Sequence, residues 1–312
     1  MKKSIHTVVF ATLVAVFALL GVARAEYPER PVQFIVPWPP GDLEDVLARI
    51  ISDQVQADHG APSAVVNMKG GGGLIGASHV AGADADGYTV GVFTGNILTA
   101  HIIKGRASFG TDAFEPLGVF LNYPMILATR ASEPYDDIKG LAAHAKSNAV
   151  KLGHFGFNGP PTRQTIKTAK RLGFEYAGSA AYDETNCVML SNGDADVIVT
   201  TVKLVSACLN SGEAKAIAAY TAERISVLPD VMTLEEQVPG VSVPAWAGLF
   251  VRAGTAQEAR DAISASAIKA LKSKQALDIA KSTGAVVSWN DAAKSAAWVK
   301  EQYGRVEELL SE

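Results

Sequence analysis

The sequence predicts an α/β protein folded as two lobes, and three observations carry that expectation. Short apolar or β-branched runs alternate with amphipathic helical stretches, the pattern of a parallel sheet covered by helices on both faces. The chain has 312 residues, more than one ordinary domain of about 100–200 residues. Its composition, 48% hydrophobic and 19% charged, is that of a packed globular protein and excludes a disordered, collagenous or polytopic membrane chain.

The chain opens on a segment that is not part of this pattern. Lys2 and Lys3 precede an uncharged run from Val8 to Ala23, which ends in Ala23-Arg24-Ala25. A basic start, an apolar middle and a small-x-small exit are what signal peptidase reads. The run of 16 residues is short of the roughly 20 needed to span a bilayer, and no stop-transfer pattern follows. Residues 1–25 are therefore predicted to be a secretory signal. No cysteine follows the cut, so a lipid-anchored form is not expected. Losing Lys2, Lys3 and Arg24 takes the 28 bases to 25 against 32 acids, a net charge of −7. That balance offers no basic footprint for nucleic acid. In an oxidising compartment Cys187 and Cys208 could pair, closing a loop of about 20 residues worth on the order of 3 kcal/mol. The alternative is two buried thiols.

Val32 to Val36 reads as a buried strand, stopped by Pro37-Trp38-Pro39-Pro40-Gly41. A helix opens near Asp42, with Leu43, Val46, Leu47, Ile50, Ile51 and Val55 on one face, and Gly60 is a natural C-terminal stop. Ala64 to Val66 is the next strand. Gly70 to Gly73 then leads into a small-residue helix reaching about Ala83, and Tyr88 to Phe93 is a third strand after the Asp86-Gly87 turn. Further strands are read at Met125–Thr129, Lys151–Phe155, Asp196–Thr201, Ala214–Tyr220 and Ala247–Val251, with helices over Asp137–Lys146 and from about Thr162 to Leu172. Thr255-Ala256-Gln257-Glu258 reads as a capping box opening a helix to about Lys272. A last helix lies within Trp289–Leu310.

Few motifs carry chemistry. Gly71-x-Gly73-x-x-Gly76 spells a dinucleotide fingerprint, after a strand and into a helix. The acid expected about 20 residues on is absent, since position 96 is Asn96, and no Lys-Ser/Thr follows for a P-loop. Two readings stay open: amides exposed at a helix start that hold a carboxylate, or a flexible turn. Asp42, Glu44 and Asp45 crowd the first turn of the first helix. They complement its dipole, each worth roughly 0.3–1 kcal/mol, or accept hydrogen bonds from ligand hydroxyls or amines. A catalytic pair or calcium site is the third reading, though without the D-x-[DN]-x-[DN]-G spacing. None of the six histidines sits in a metal-ligand pattern, and no G-x-S-x-G elbow exists. No enzymatic activity, cofactor or metal is expected.

Several motifs in order resemble one family, the extracytoplasmic substrate-binding proteins of tripartite tricarboxylate transporters (the Bug family). They are Tyr27-Pro28-x-Arg30-Pro31, Ile35-Val36-Pro37-Trp38-Pro39-Pro40-Gly41 and Asp45-Val46-Leu47-Ala48-Arg49. Asn67 with Gly70-Gly71-Gly72-Gly73-x-Ile75-Gly76, Asp86-Gly87-Tyr88-Thr89 and Thr94-Gly95-Asn96 follow. Later come Asn192-Gly193-Asp194-Ala195-Asp196-Val197, Glu223-Arg224 with Leu228-Pro229-Asp230-Val231 and Thr233-Leu234, then Trp246, Gly248-Leu249 and Ala253-Gly254-Thr255. The resemblance covers essentially the whole mature chain.

It implies a two-lobed periplasmic-binding-protein (Venus flytrap, type II) fold. Residues 26–123 and 222–312 would form lobe 1, and 124–221 lobe 2, with a hinge near Tyr123 and Thr221. It implies a periplasmic receptor, monomeric, that captures a small carboxylate for membrane transporter subunits. The same flytrap could instead present its ligand to a sensor kinase. The implied pocket holds Trp38, Pro40, Asp42, Leu43, Glu44 and Asp45 from the first loop, Gly72 and Gly73 from the second, and Thr94 and Asn96 from the third. Lobe 2 adds Asn158, Gly159, Thr162 and Arg163 from one loop and Thr200 from a strand end. The sequence departs from the family at Gly41-Asp42-Leu43, where a glycine-rich turn is usual. It departs again at Asn158-Gly159-Pro160-Pro161-Thr162-Arg163, where a serine-rich loop is usual; there Arg163 could pair with a carboxylate or face solvent. Met189 stands where many relatives place an Asp that reads the far end of the ligand, so an amino group is less expected at that end.

Overall fold

The structure, a computed structural model, describes residues 27–311; the signal expected over residues 1–25 lies outside them. The first lobe opens with β1 (Val32–Val36), α1 (Leu43–His59), β2 (Ser63–Asn67), α2 (Leu74–Gly82) and β3 (Thr89–Thr94). Short helices α3 (Gly95–Leu98) and α4 (Ala100–Ile103) lead to β4 (Phe114–Asn122). The second lobe holds β5 (Met125–Arg130), α5 (Ile138–Ala145), β6 (Lys151–His154), α6 (Pro160–Arg171) and β7 (Gly178–Ala181). It continues with α7 (Cys187–Asn192), β8 (Val197–Thr201), α8 (Ser206–Ser211), β9 (Ala214–Ala219) and α9 (Leu234–Gln237). β10 (Trp246–Arg252), α10 (Gln257–Leu271), α11 (Lys274–Thr283), β11 (Val286–Asn290) and α12 (Ala292–Ser311) rejoin or pack on the first lobe.

Two sheets result, a six-stranded one in the order β11-β4-β10-β3-β1-β2 and a five-stranded one in the order β7-β6-β8-β5-β9. They repeat one plan. In the first, β1 lies between β2 and β3 in parallel and β10, arriving from the crossing, pairs antiparallel with β3; in the second, β6 lies between β7 and β8 in parallel and β5, arriving from the crossing, pairs antiparallel with β8. The sheets are therefore mixed rather than purely parallel.

The apolar runs are explained by burial on both faces. Phe34 and Val36 belong to one core cluster and Ile35, between them, to another. In the second lobe Val197 and Val199 face one cluster and Ile198 the other. Successive side chains of a strand point to opposite faces, so a sheet covered on both sides shows continuous apolar residues rather than alternation. α1 begins and ends where expected, with Gly60 in the left-handed conformation at its C-terminus. The box expected at Thr255 does not form. That hydroxyl donates to the Arg252 carbonyl, and α10 starts at Gln257 with no side-chain cap. A complete capping box forms instead at Thr233 and Glu236.

The crossings lie at Tyr123-Pro124 and at Val243–Ala245. The return is later than the expected residue 222, because the chain from 222 to 243 stays bonded to the second lobe. Ala219 N–H donates to the Met232 carbonyl, and Gln237 joins the Ile138 amide to the Ile217 carbonyl. Gln164 makes paired bonds to the Val243 backbone at 2.8 and 2.9 Å. On the outer face of the second lobe Cys187 and Cys208 form a disulfide joining α7 to α8, with Cα atoms 5.9 Å apart.

Candidate functional site

The carboxyl ends of the parallel strands in both lobes open toward each other, which is where ligands bind in open α/β sheets. Between them lies a cavity of about 410 Å³. The segments after β1, β2 and β3 line it from one side, those after β6, β7 and β8 from the other, and the crossings close its back.

The segment after β2 is built on glycine. Gly70 to Gly73 all have positive φ, from 62° to 122°, a region that side chains with a Cβ seldom enter. A Cβ on Gly72 would also meet His101 Nε2 at 2.9 Å. The turn's own bonds run from the amides of Gly73 and Ile75 to the Gly70 carbonyl. The amides of Gly71 and Gly72, both lining residues, are left as donors. The Gly72 carbonyl is pinned from behind by His101 Nε2 at 2.8 Å and Asn96 Nδ2 at 3.2 Å. A carbonyl only accepts, so Nε2 is the protonated nitrogen of His101 and Nδ1 is an acceptor. Nδ1 is buried without a partner, and burial lowers the pKa of the ring. Thr94 accepts from Trp38 Nε1 and donates to Asn96, tying the first and third loops together.

The start of α1 supplies two acids. Asp42, half-buried, accepts from the Thr201 hydroxyl of the other lobe at 3.0 Å. Burial pushes its pKa up to about 6, against the pull of the Leu43 amide, Thr201 and Lys203. Glu44, only 2% exposed, accepts from the Tyr123 hydroxyl at 3.0 Å. Burial, and then the charge of Asp42, raise it well above the carboxylate range. Asp45 is turned away. Burial pushes it up, but Arg49, Asn67 and the Gly41 amide outweigh that and hold it low. It clasps the loop to the helix, and the three acids do not converge on one point.

Of the residues expected in the pocket, Trp38, Pro40, Asp42, Glu44, Gly72, Thr94, Asn96, Asn158, Gly159 and Thr162 line the cavity. The other five are placed elsewhere. Leu43 is fully buried in the core, on the inner face of α1. Asp45 has the clasping role just described. Gly73 sits behind the turn against Ile97 and Trp38. The Arg163 guanidinium lies over the Phe157 ring, 5.3 Å from its centre, with Nε buried. Thr200 donates to the Thr185 carbonyl at 2.6 Å within lobe 2; its neighbour Thr201, one step along the strand and so on the opposite face, reaches the cleft.

Sequence reasoning also passed over His101, Arg106, Tyr123, Tyr182 and Glu184, all of which line the cavity. For Tyr182 and Glu184 a signal existed in the topology. They follow β7, which holds the place in its lobe that β2 holds before the glycine turn.

Two α/β lobes joined by paired crossings around a lined cleft define a solute-binding protein of the two-lobed periplasmic kind. Residues 47–312 match the model of the tripartite tricarboxylate transporter family receptor. The chain belongs to that family. It is 29% identical over 309 residues to the UPF0065 protein of the TAR-I ttuE–ttuC' intergenic region of Agrobacterium vitis, covering 96% of this chain and 88% of that one. Among solved structures, the periplasmic binding protein BugD superposes with a TM-score of 0.82 at 28% identity, over 91% of this chain and 98% of BugD. MatC of Rhodopseudomonas palustris, solved with bound malate, superposes with a TM-score of 0.82 at 26% identity, over 91% of this chain and 100% of MatC. Among the described residues no helix is long and apolar enough to cross a membrane.

Proposed function

We propose that the protein is exported, loses residues 1–25, and captures a small organic carboxylate in the cleft for delivery to the membrane subunits of a tripartite tricarboxylate-type transporter. The observation that carries this is the glycine turn, which leaves the amides of Gly71 and Gly72 without an acceptor of the turn's own at the edge of the cavity. Malate in the related MatC cleft supports the same ligand class.

Closure supplies the mechanism. A ligand bound by both lobes shifts the open–closed population only by what it gains in the closed form. The Asp42–Thr201 bond already bridges the lobes. A Kd near 1 μM corresponds to about −8 kcal/mol. Two or three charge-assisted hydrogen bonds at roughly 1.5–3 kcal/mol each, with apolar contact on Trp38, supply most of it. The test is a thermal-shift panel on ligand-stripped protein. Organic acids should raise the melting temperature, by the equivalent of about 2.7 kcal/mol at a hundredfold excess over Kd. Stabilisation by sugars with none by any acid would refute the reading.

A further inference from the structure

We propose that the ligand carries, besides its carboxylate, a protonated nitrogen that sits on Asp42 and Glu44. This deepens the carboxylate reading and rests on it. The two acids are neighbours lining one cleft, and no ion pair neutralises either among the described residues. Glu44 has the Tyr123 hydroxyl and Asp42 the Thr201 hydroxyl; nearby Arg49 is committed to Asp45, and Lys203 acts on Asp42 through its charge without forming an ion pair. Buried carboxylates are paired with a cation or they take up a proton.

Three further features favour a cation from the ligand. Asp183 and Glu184 also line the cavity, where Arg106 is the one cationic side chain among the described residues. Backbone donors for an anion are fewer on the second lobe, because α6 faces the cleft with Pro160 and Pro161, which have no N–H to offer. The glycine turn is thus the richer backbone site for a carboxylate. Rings of Trp38, Phe155, Phe157 and Tyr182 line the walls, and aromatic faces attract cations.

The experiment is calorimetry and thermal shift at neutral pH with unbranched ω-amino acids from 3-aminopropionate to 6-aminohexanoate, each beside the monocarboxylate and dicarboxylate of equal length. An amino member should bind at least about tenfold more tightly than both its partners, and Asp42→Asn and Glu44→Gln should each erase that preference. A dicarboxylate or monocarboxylate that matches its amino partner overturns the inference. So does proton uptake on dicarboxylate binding, which would make the acid pair a shared-proton donor. Acids binding while no amino member shifts the melt at about 10 mM sinks the inference and leaves the carboxylate reading standing; no binding by any member sinks both.

Discussion

Helices α1 and α6 both begin at the cleft, one from each lobe, and both withhold their starts from an anion, by different means. A helix N-terminus is ordinarily a ready anion site, with free amides and a positive dipole end. At α1 the first turn is occupied by Asp42 and Glu44, which put negative charge where a ligand's would go. At α6 Pro160 and Pro161 keep the dipole but delete the donors. The contrast teaches that the polarity of this cleft is set by side chains and imino acids rather than by the backbone frame, which the two lobes share. The glycine turn is the place we propose for a carboxylate.

The largest effect should come from that turn. Gly72→Ala puts a Cβ against His101 at positive φ, and should cost about 100-fold in carboxylate affinity by calorimetry with the fold intact; an unchanged Kd would remove the turn from the site. Next is Glu44→Gln, read through stability without ligand. A carboxyl whose folded pKa is raised supports the fold fully only below its unfolded value, 4.5 for this group. That support drains away as pH rises toward the folded value. The Asp42 charge, itself raised to about 6, adds to the strain above that pH. Glu44→Gln should therefore gain about 1–3 kcal/mol over wild type at pH 8 and almost nothing at pH 4, a difference of a few degrees in paired melts. Equal gains at both pH values would show that the acid pair is not strained. The smallest effect belongs to Pro161→Ser, which returns one N–H to the start of α6. It should improve dicarboxylate binding a few-fold, consistent with one hydrogen bond of about 1 kcal/mol, and leave monocarboxylates as they were.

Much of this was legible before any coordinates, for physical reasons that also mark where legibility stopped. β1, β3, β8 and β10 stand out because both their faces are covered. β4 did not, since Glu115, Pro116 and Gly118 interrupt its pattern. β7, an exposed edge of glycine, serine and alanine, has no pattern to find. The loops of the cleft were placed by their position after strands, but not which side chain of each turns inward. Thr200 and Thr201 differ only in strand parity, and the Thr255 motif fails because its hydroxyl has a nearer carbonyl. The partners of Asp42 and Glu44 lie 159 and 79 residues away, at separations that no local pattern encodes.

Tyr123 and Ala245 belong to the two crossings and are hydrogen-bonded to each other, at 2.9 Å. The two crossings are thus tied to each other, and the 222–243 stretch is bonded to the second lobe. The Tyr123 hydroxyl is also the group that holds Glu44. A ligand settling on that carboxylate would therefore act directly on a residue of the crossing.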